Sequence, residues 1–106
     1  MNVYMDDDLY ELYSTGNNRK YKEIARNPEL KGGFDRAVRS MVAVNRVDEL
    51  RALSFLHYER LKYQLEGLSS VRLSNRYVHR LLFEEREDGI AVKLMEIDNS
   101  HYGNKK

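Results

Sequence analysis

Arg80 lies in the run Val78-His79-Arg80-Leu81-Leu82-Phe83, where strand alternation puts it on one face with Val78 and Leu82. A guanidinium among apolar neighbours requires an anionic partner. That partner is either a bound phosphate or an internal carboxylate, with Glu96 the internal candidate. Past the last strand-like run, Val92-Lys93-Leu94-Met95-Glu96-Ile97, the chain carries His101-Tyr102. Cleaving RNA without a metal needs a group that takes the 2′-hydroxyl proton, one that stabilises charge on the phosphate, and one that protonates the leaving 5′-oxygen. The forked donors of arginine match phosphate oxygens, and histidine, lysine or tyrosine can carry protons. Basic strands followed by an imidazole and a phenol suit that reaction better than they suit binding of a small metabolite.

Arg72, in Gly67-Leu68-Ser69-Ser70-Val71-Arg72-Leu73, alternates off the face of Val71 and Leu73. A two-residue turn at Asn75-Arg76 would set it opposite His79, and a three-residue loop would set it opposite Arg80. Only the second register makes a two-arginine site, and the spacing leaves the choice open. His57, Tyr58 and Lys62 occupy the segment leading into these strands, and their value as a site depends on convergence. Arg72, Arg76 and Tyr58 are the candidate RNA contacts. His101-Tyr102 reads either as part of the site or as a terminal tail. No other chemistry has a pattern: His57, His79 and His101 lack metal-ligand spacing, and Gly32-Gly33 lacks the lysine and hydroxyl of a phosphate loop. No cofactor and no metal is expected.

These residues must be positioned by helices first and strands second. Asn2–Met5 predicts a short edge strand, and Asp6 to Asp8 cap and charge a helix carrying Leu9, Leu12 and Tyr13. A second helical stretch spans about Arg19 to Arg26. Asn27-Pro28 marks the next start, with Leu30, Phe34, Val38, Met41 and Val42 at the spacing of a buried face. Gly32-Gly33 costs about 1 kcal/mol per glycine, so that helix is expected to begin properly only at Phe34. Val47, Leu50 and Leu53 add a short turn, and Glu59 to Leu68 reads as a polar loop. Ser69–Leu73, Tyr77–Glu85 and Ile90–Ile97 read as strands, the last two joined by a two-residue hairpin at Asp88-Gly89. The expected fold class is α+β, with N-terminal helices packed on a C-terminal antiparallel sheet.

The chain has 106 residues, enough for one core, so residues 1–106 read as a single domain. It has no cysteine, no long apolar run and no signal-peptide pattern, which predicts a cytoplasmic protein with no membrane contact. The net charge of +1 conceals a pattern. Residues 19–40 carry seven Lys/Arg against three acids and residues 51–80 six against two, while residues 81–100 carry two against six. Two basic blocks between acidic ones can face a polyanion in a nearly neutral protein; they also fit an ordinary mixed-charge surface.

The order of these features resembles the HigB-type toxins of type II toxin–antitoxin systems, within the RelE/ParE superfamily. The resemblance is carried by Tyr58-Glu59-Arg60-Leu61-Lys62, Gly67-Leu68-Ser69-Ser70-Val71-Arg72, Arg80-Leu81-Leu82-Phe83 and Glu96-Ile97 leading to His101-Tyr102-Gly103. It implies a RelE-like α+β endoribonuclease that cleaves translating mRNA on the ribosome without metal. It further implies neutralisation by a HigA-like helix-turn-helix antitoxin, with operator DNA reached only through that antitoxin. Carried over by position, Arg80 is the phosphate-stabilising arginine and His101-Tyr102 the terminal pair. Lys62 and His57 are the upstream basic residues, and Arg72 is a supporting contact. The connection between Arg72 and Arg80 is longer than in many such toxins. A ParE-like inhibitor of DNA gyrase, or a non-catalytic interaction module, fits the same superfamily. The nuclease reading requires Arg80 and His101 to share one pocket.

Overall fold

The computed structural model describes residues 1–99. The chain runs β1 (Asn2–Met5), α1 (Asp7–Thr15), α2 (Lys22–Arg26), α3 (Pro28–Ala43), β2 (Glu59–Arg60), β3 (Ser69–Arg72), β4 (Arg80–Arg86) and β5 (Ala91–Asp98). Short 3₁₀ segments at Val47–Ala52 and Ser54–Leu56 link α3 to β2. The strands form one sheet in the order β1-β5-β4-β3-β2. This is the expected α+β class, and β1 is an edge strand as predicted. It pairs with β5 in parallel, so the sheet is mixed and not purely antiparallel. The whole helical layer intervenes between these two strands, which lets the chain return in the same direction.

Local chemistry sets the helix starts. The Asp6 side chain accepts a hydrogen bond from the Leu9 amide at 2.9 Å, capping α1. Asn27 accepts from the Glu29 and Leu30 amides at 3.0 and 3.2 Å, with Pro28 at the first turn of α3. The second helical stretch shortens to Lys22–Arg26. α3 does not wait for Phe34: it is continuous from Pro28 through both glycines to Ala43. The reason is tertiary. A Cβ on Gly33 would lie 1.8 Å from the Leu73 carbonyl oxygen, so the backbone just past β3 packs where a side chain would stand. Leu30, Phe34, Ala37, Val38 and Met41 are buried from α3, whereas Val42, expected on that face, is 56% exposed.

The helices cover the sheet face bearing Val71, Leu81, Phe83, Val92 and Leu94, all members of one core with Leu9, Leu12, Phe34 and Met41. A bulge breaks the β4–β5 ladder: Leu82 pairs with Glu96 and Phe83 with Leu94, leaving Met95 as the extra residue. The predicted loop at Glu59 contributes β2, paired with Ser69 and Ser70. The β4–β5 connection has the positive φ expected at Asp88 (58°) and Gly89 (90°), but also at Glu87 (53°). It spans residues 87–90 between the paired Arg86 and Ala91, so the two-residue hairpin is replaced by a longer turn. Among the described residues no helix is long and apolar enough to cross a membrane.

Candidate nucleic-acid site

The strands flanking Ser74-Asn75-Arg76 are shorter than predicted, and residues 73–79 form the β3–β4 connection. Within it, the Ser74 hydroxyl accepts from the Arg76 amide at 3.0 Å and donates to Glu29, and the Arg76 guanidinium reaches Glu29 at 3.2 Å. The first turn of α3 thereby anchors the connection that fixes β3 against β4. The resulting register sets Arg72 directly opposite Arg80. Of the two registers open from the sequence, the fold adopts the two-arginine one.

Alternation places Ser70, Arg72, Arg80 and Leu82 on the sheet face away from the helices, with Glu96 and Asp98 beside them on β5. Arg80 is 7% exposed and Asp98 9%, with Arg80 Nη2 at 3.7 Å from Asp98 Oδ2. The internal carboxylate is therefore Asp98 and not Glu96, which stands opposite Leu82. The register explains this: Asp98 is the cross-strand partner of Arg80, and the bulge shifts the rest of β5 by one residue. At 3.7 Å the attraction is Coulombic and closes no hydrogen bond. Among the described residues, Arg80 Nη2 is buried with no hydrogen-bond partner. Arg72 is half-buried, and among the described residues its side chain forms no hydrogen bond or ion pair. Two guanidinium groups across one ladder repel each other unless an anion lies between them. An arrangement with unspent donors on both favours a phosphate.

The other predicted residues divide into two groups. His57 is exposed, sits in the left-handed region (φ 49°), and has Nε2 at 3.1 Å from Asn75 Oδ1. It is thus tied to the Arg72–Arg80 connection, as is Arg76. Tyr58 and Lys62 belong to a different cluster. The Tyr58 hydroxyl donates to Glu85, its ring contacts Phe83 at 6.1 Å, and the Arg51 guanidinium lies 4.8 Å over it. A ring held this way contributes to packing around Glu85. Lys62 lines an open cleft of about 480 Å³ with Arg60, Gly67, Ser69 and Glu85. His101 and Tyr102 lie outside the described residues.

Glu85 and Asp98 were not anticipated from the sequence. Glu85 accepts from Arg60 at 3.1 Å and Ser69 at 2.9 Å in addition to Tyr58. Burial alone would raise its pKa; the hydrogen bonds from Tyr58, Arg60 and Ser69 outweigh that and hold it below the ordinary glutamate value. In the sequence Glu85 is one member of an acidic run, and no local signal separates it from Glu84 or Glu87. Among the described residues no cluster of His, Asp and Glu could hold a metal ion.

No protein-family model and no curated protein matches the chain. Solved structures do. A YoeB/ParE toxin from Agrobacterium tumefaciens superposes with a TM-score of 0.57 at 13% identity, covering 95% of this chain and all of that one. A YoeB-YefM complex from Staphylococcus aureus gives a TM-score of 0.58 at 18% identity, covering 95% of this chain and 98% of that one. The chain therefore shares its fold with these two structures over nearly its whole length, and the likeness does not single out the HigB type.

Proposed function

We propose that this protein is the toxin of a type II toxin–antitoxin pair and acts as a ribosome-dependent mRNA endoribonuclease. The observation that carries the reading is the Arg72–Arg80 opposition across β3 and β4, with unspent guanidinium donors, in a fold shared with YoeB/ParE toxins. In the proposed reaction the 2′-hydroxyl attacks the adjacent phosphorus in line, the bond to the 5′-oxygen breaks, and a cyclic phosphate and a free 5′-hydroxyl result. Arg80 and Arg72 stabilise the charge that builds on the phosphate, and Lys62, in the separate cleft beside Glu85, is left to contact the message outside the scissile group. His57 or His101 takes and returns the proton, and Tyr102 orients a base. Its partners are the translating ribosome with its mRNA and an antitoxin, HigA-like in the finer form of this reading. The low net charge is compatible with such a role because the ribosome itself positions the message.

A second reading, a non-nuclease toxin such as a gyrase inhibitor of the ParE kind, takes its support from one observation against an open phosphate site: Arg80 is buried beside Asp98. Brief induction followed by primer extension on a translated reporter separates the two. Discrete new 5′ ends that vanish in Arg80→Ala and Arg72→Ala support the nuclease. Intact messages with an induced DNA-damage response overturn it.

A further inference from the structure

A second basic region lies beside the connection that joins Arg72 to Arg80. A cleft of about 620 Å³ opens between α3 and residues 73–76. Arg36 and Arg39 from the helix and Arg76 from the connection line it, against a single acid, Glu29. That acid is already engaged by the Ser74 hydroxyl and the Arg76 guanidinium. Asp35, next to Arg36 in sequence, holds Lys31 at 2.7 Å. Among the described residues neither Arg36 nor Arg39 forms an ion pair. Three residues apart on one helix, the two present their charge on one side. The cleft is cationic, and its carboxylate is occupied.

Gly32 gives an independent sign that this surface is used. A glycine weakens the interior of a helix. Unlike Gly33, Gly32 has no packing reason to be there, since a Cβ would meet nothing within 4 Å. It lines the cleft between Glu29 and Arg36. Bare helix backbone at that point lets the backbone of a ligand come close. An aromatic neighbour then narrows the class of polyanion. The Arg36 guanidinium lies 4.8 Å over the Phe55 ring, which is 38% exposed. Guanidinium and aromatic faces stack on bases, whereas an acidic peptide or a free phosphate makes no use of them.

We propose that this cleft holds the backbone of single-stranded RNA as an extension of the Arg72–Arg80 site. Continuity supports the assignment. Leu73 follows Arg72 directly, and Asn75 in the cleft wall is bonded to His57 at 3.1 Å. A strand with one phosphate at the two arginines turns around the strand ends over Asn75-Arg76. Its next phosphates then lie along Arg39 and Arg36. The cleft positions the message and takes no part in bond breaking. Its role in cleavage rests on the nuclease reading; its affinity for RNA does not.

The test follows binding of a fluorescent single-stranded RNA of about eight nucleotides to the full chain, by anisotropy across a salt series. Its 2′-O-methyl groups prevent cleavage. Arg39→Ala should weaken binding about threefold to tenfold and reduce the salt slope by about 0.7, the value of one phosphate contact. Gly32→Leu, which fills the cleft floor with a good helix former, should keep thermal stability and weaken RNA binding by a similar factor. An unchanged salt slope in Arg39→Ala, or unchanged affinity in Gly32→Leu, overturns the proposal. So does a polyglutamate peptide that binds the unaltered protein as tightly as the RNA, since the cleft would then be a protein-docking surface. In cells, Arg39→Ala should lower mRNA cleavage severalfold at the same cut sites, against the larger loss expected of Arg80→Ala. If the unaltered protein cleaves nothing, the nuclease reading falls, and the RNA titration still decides the cleft.

Discussion

β4 carries a charged site at each end, and the two are built on opposite principles. At its far end the Glu85 carboxylate receives three hydrogen bonds, from Tyr58, Arg60 and Ser69. At its near end Arg80 has one carboxylate at 3.7 Å and a buried nitrogen with no hydrogen bond. Both groups pay a desolvation cost on folding, but only Glu85 recovers it with well-placed partners. A saturated carboxylate ties β2, β3 and β4 together. An under-satisfied arginine facing a second arginine is poor as scaffolding and well suited to an anion that arrives later. The contrast gives the far end the character of scaffolding and leaves the near end as the proposed site.

The largest expected effect comes from breaking the near end. Arg80→Lys keeps the charge beside Asp98 but loses the fork, and should retain the fold by circular dichroism. Arg80→Ala should lower mRNA cleavage by about 10²–10³-fold, the typical cost of removing one preorganised donor to a developing charge, with Arg80→Lys recovering only part of it. Full cleavage by either variant would move the chemistry away from this face.

At the far end the expected loss is of stability. Glu85→Gln should lower unfolding free energy at neutral pH by roughly 1.5–3 kcal/mol, toward the low end because Arg60 is largely exposed. Because the folded protein holds the Glu85 pKa down, its contribution is complete above the unfolded value near 4.3 and is lost as pH falls through the lower folded value. Denaturant melts at several pH values should show the gap between Glu85→Gln and the unaltered protein closing in acid. A gap that stays constant would contradict the assigned role.

Smaller effects test what positions the near end. Gly33→Ala should destabilise by about 1–3 kcal/mol, because its methyl group meets the Leu73 backbone beside the Arg72–Arg80 connection. Gly32→Ala, with nothing within 4 Å of the added carbon, should stabilise by up to about 1 kcal/mol. Chemical denaturation of the pair gives both signs in one experiment. Two changes of the same sign would show that helix propensity, not the contact with Leu73, governs this stretch.

Much of the helical layer was legible because its signals are local. Asp6, Asn27 and Pro28 act within one turn of where they stand, and the three-and-four spacing of Leu30, Phe34, Val38 and Met41 records a face that is indeed buried. The same reasoning failed at Gly32-Gly33, where propensity argued for a late start and the approach of Leu73 explains the glycine. It failed at Val42 as well, since the spacing admits Val42 to the face while the packing uses Ala37.

For the site, the residue types and their alternation followed from the sequence alone: an arginine at 72 off the face of Val71 and Leu73, and another at 80 on a face with Val78 and Leu82. Tertiary structure chose the register that joins them, replaced Glu96 by Asp98 as the nearby carboxylate, and drew Tyr58 away to Glu85. Alternation has a period of two residues and fixes only which face a side chain takes. Which residue stands across from it depends on the length of a connection, a bulge and the anchoring of Ser74 and Arg76 on Glu29, and those are settled only when distant segments pack.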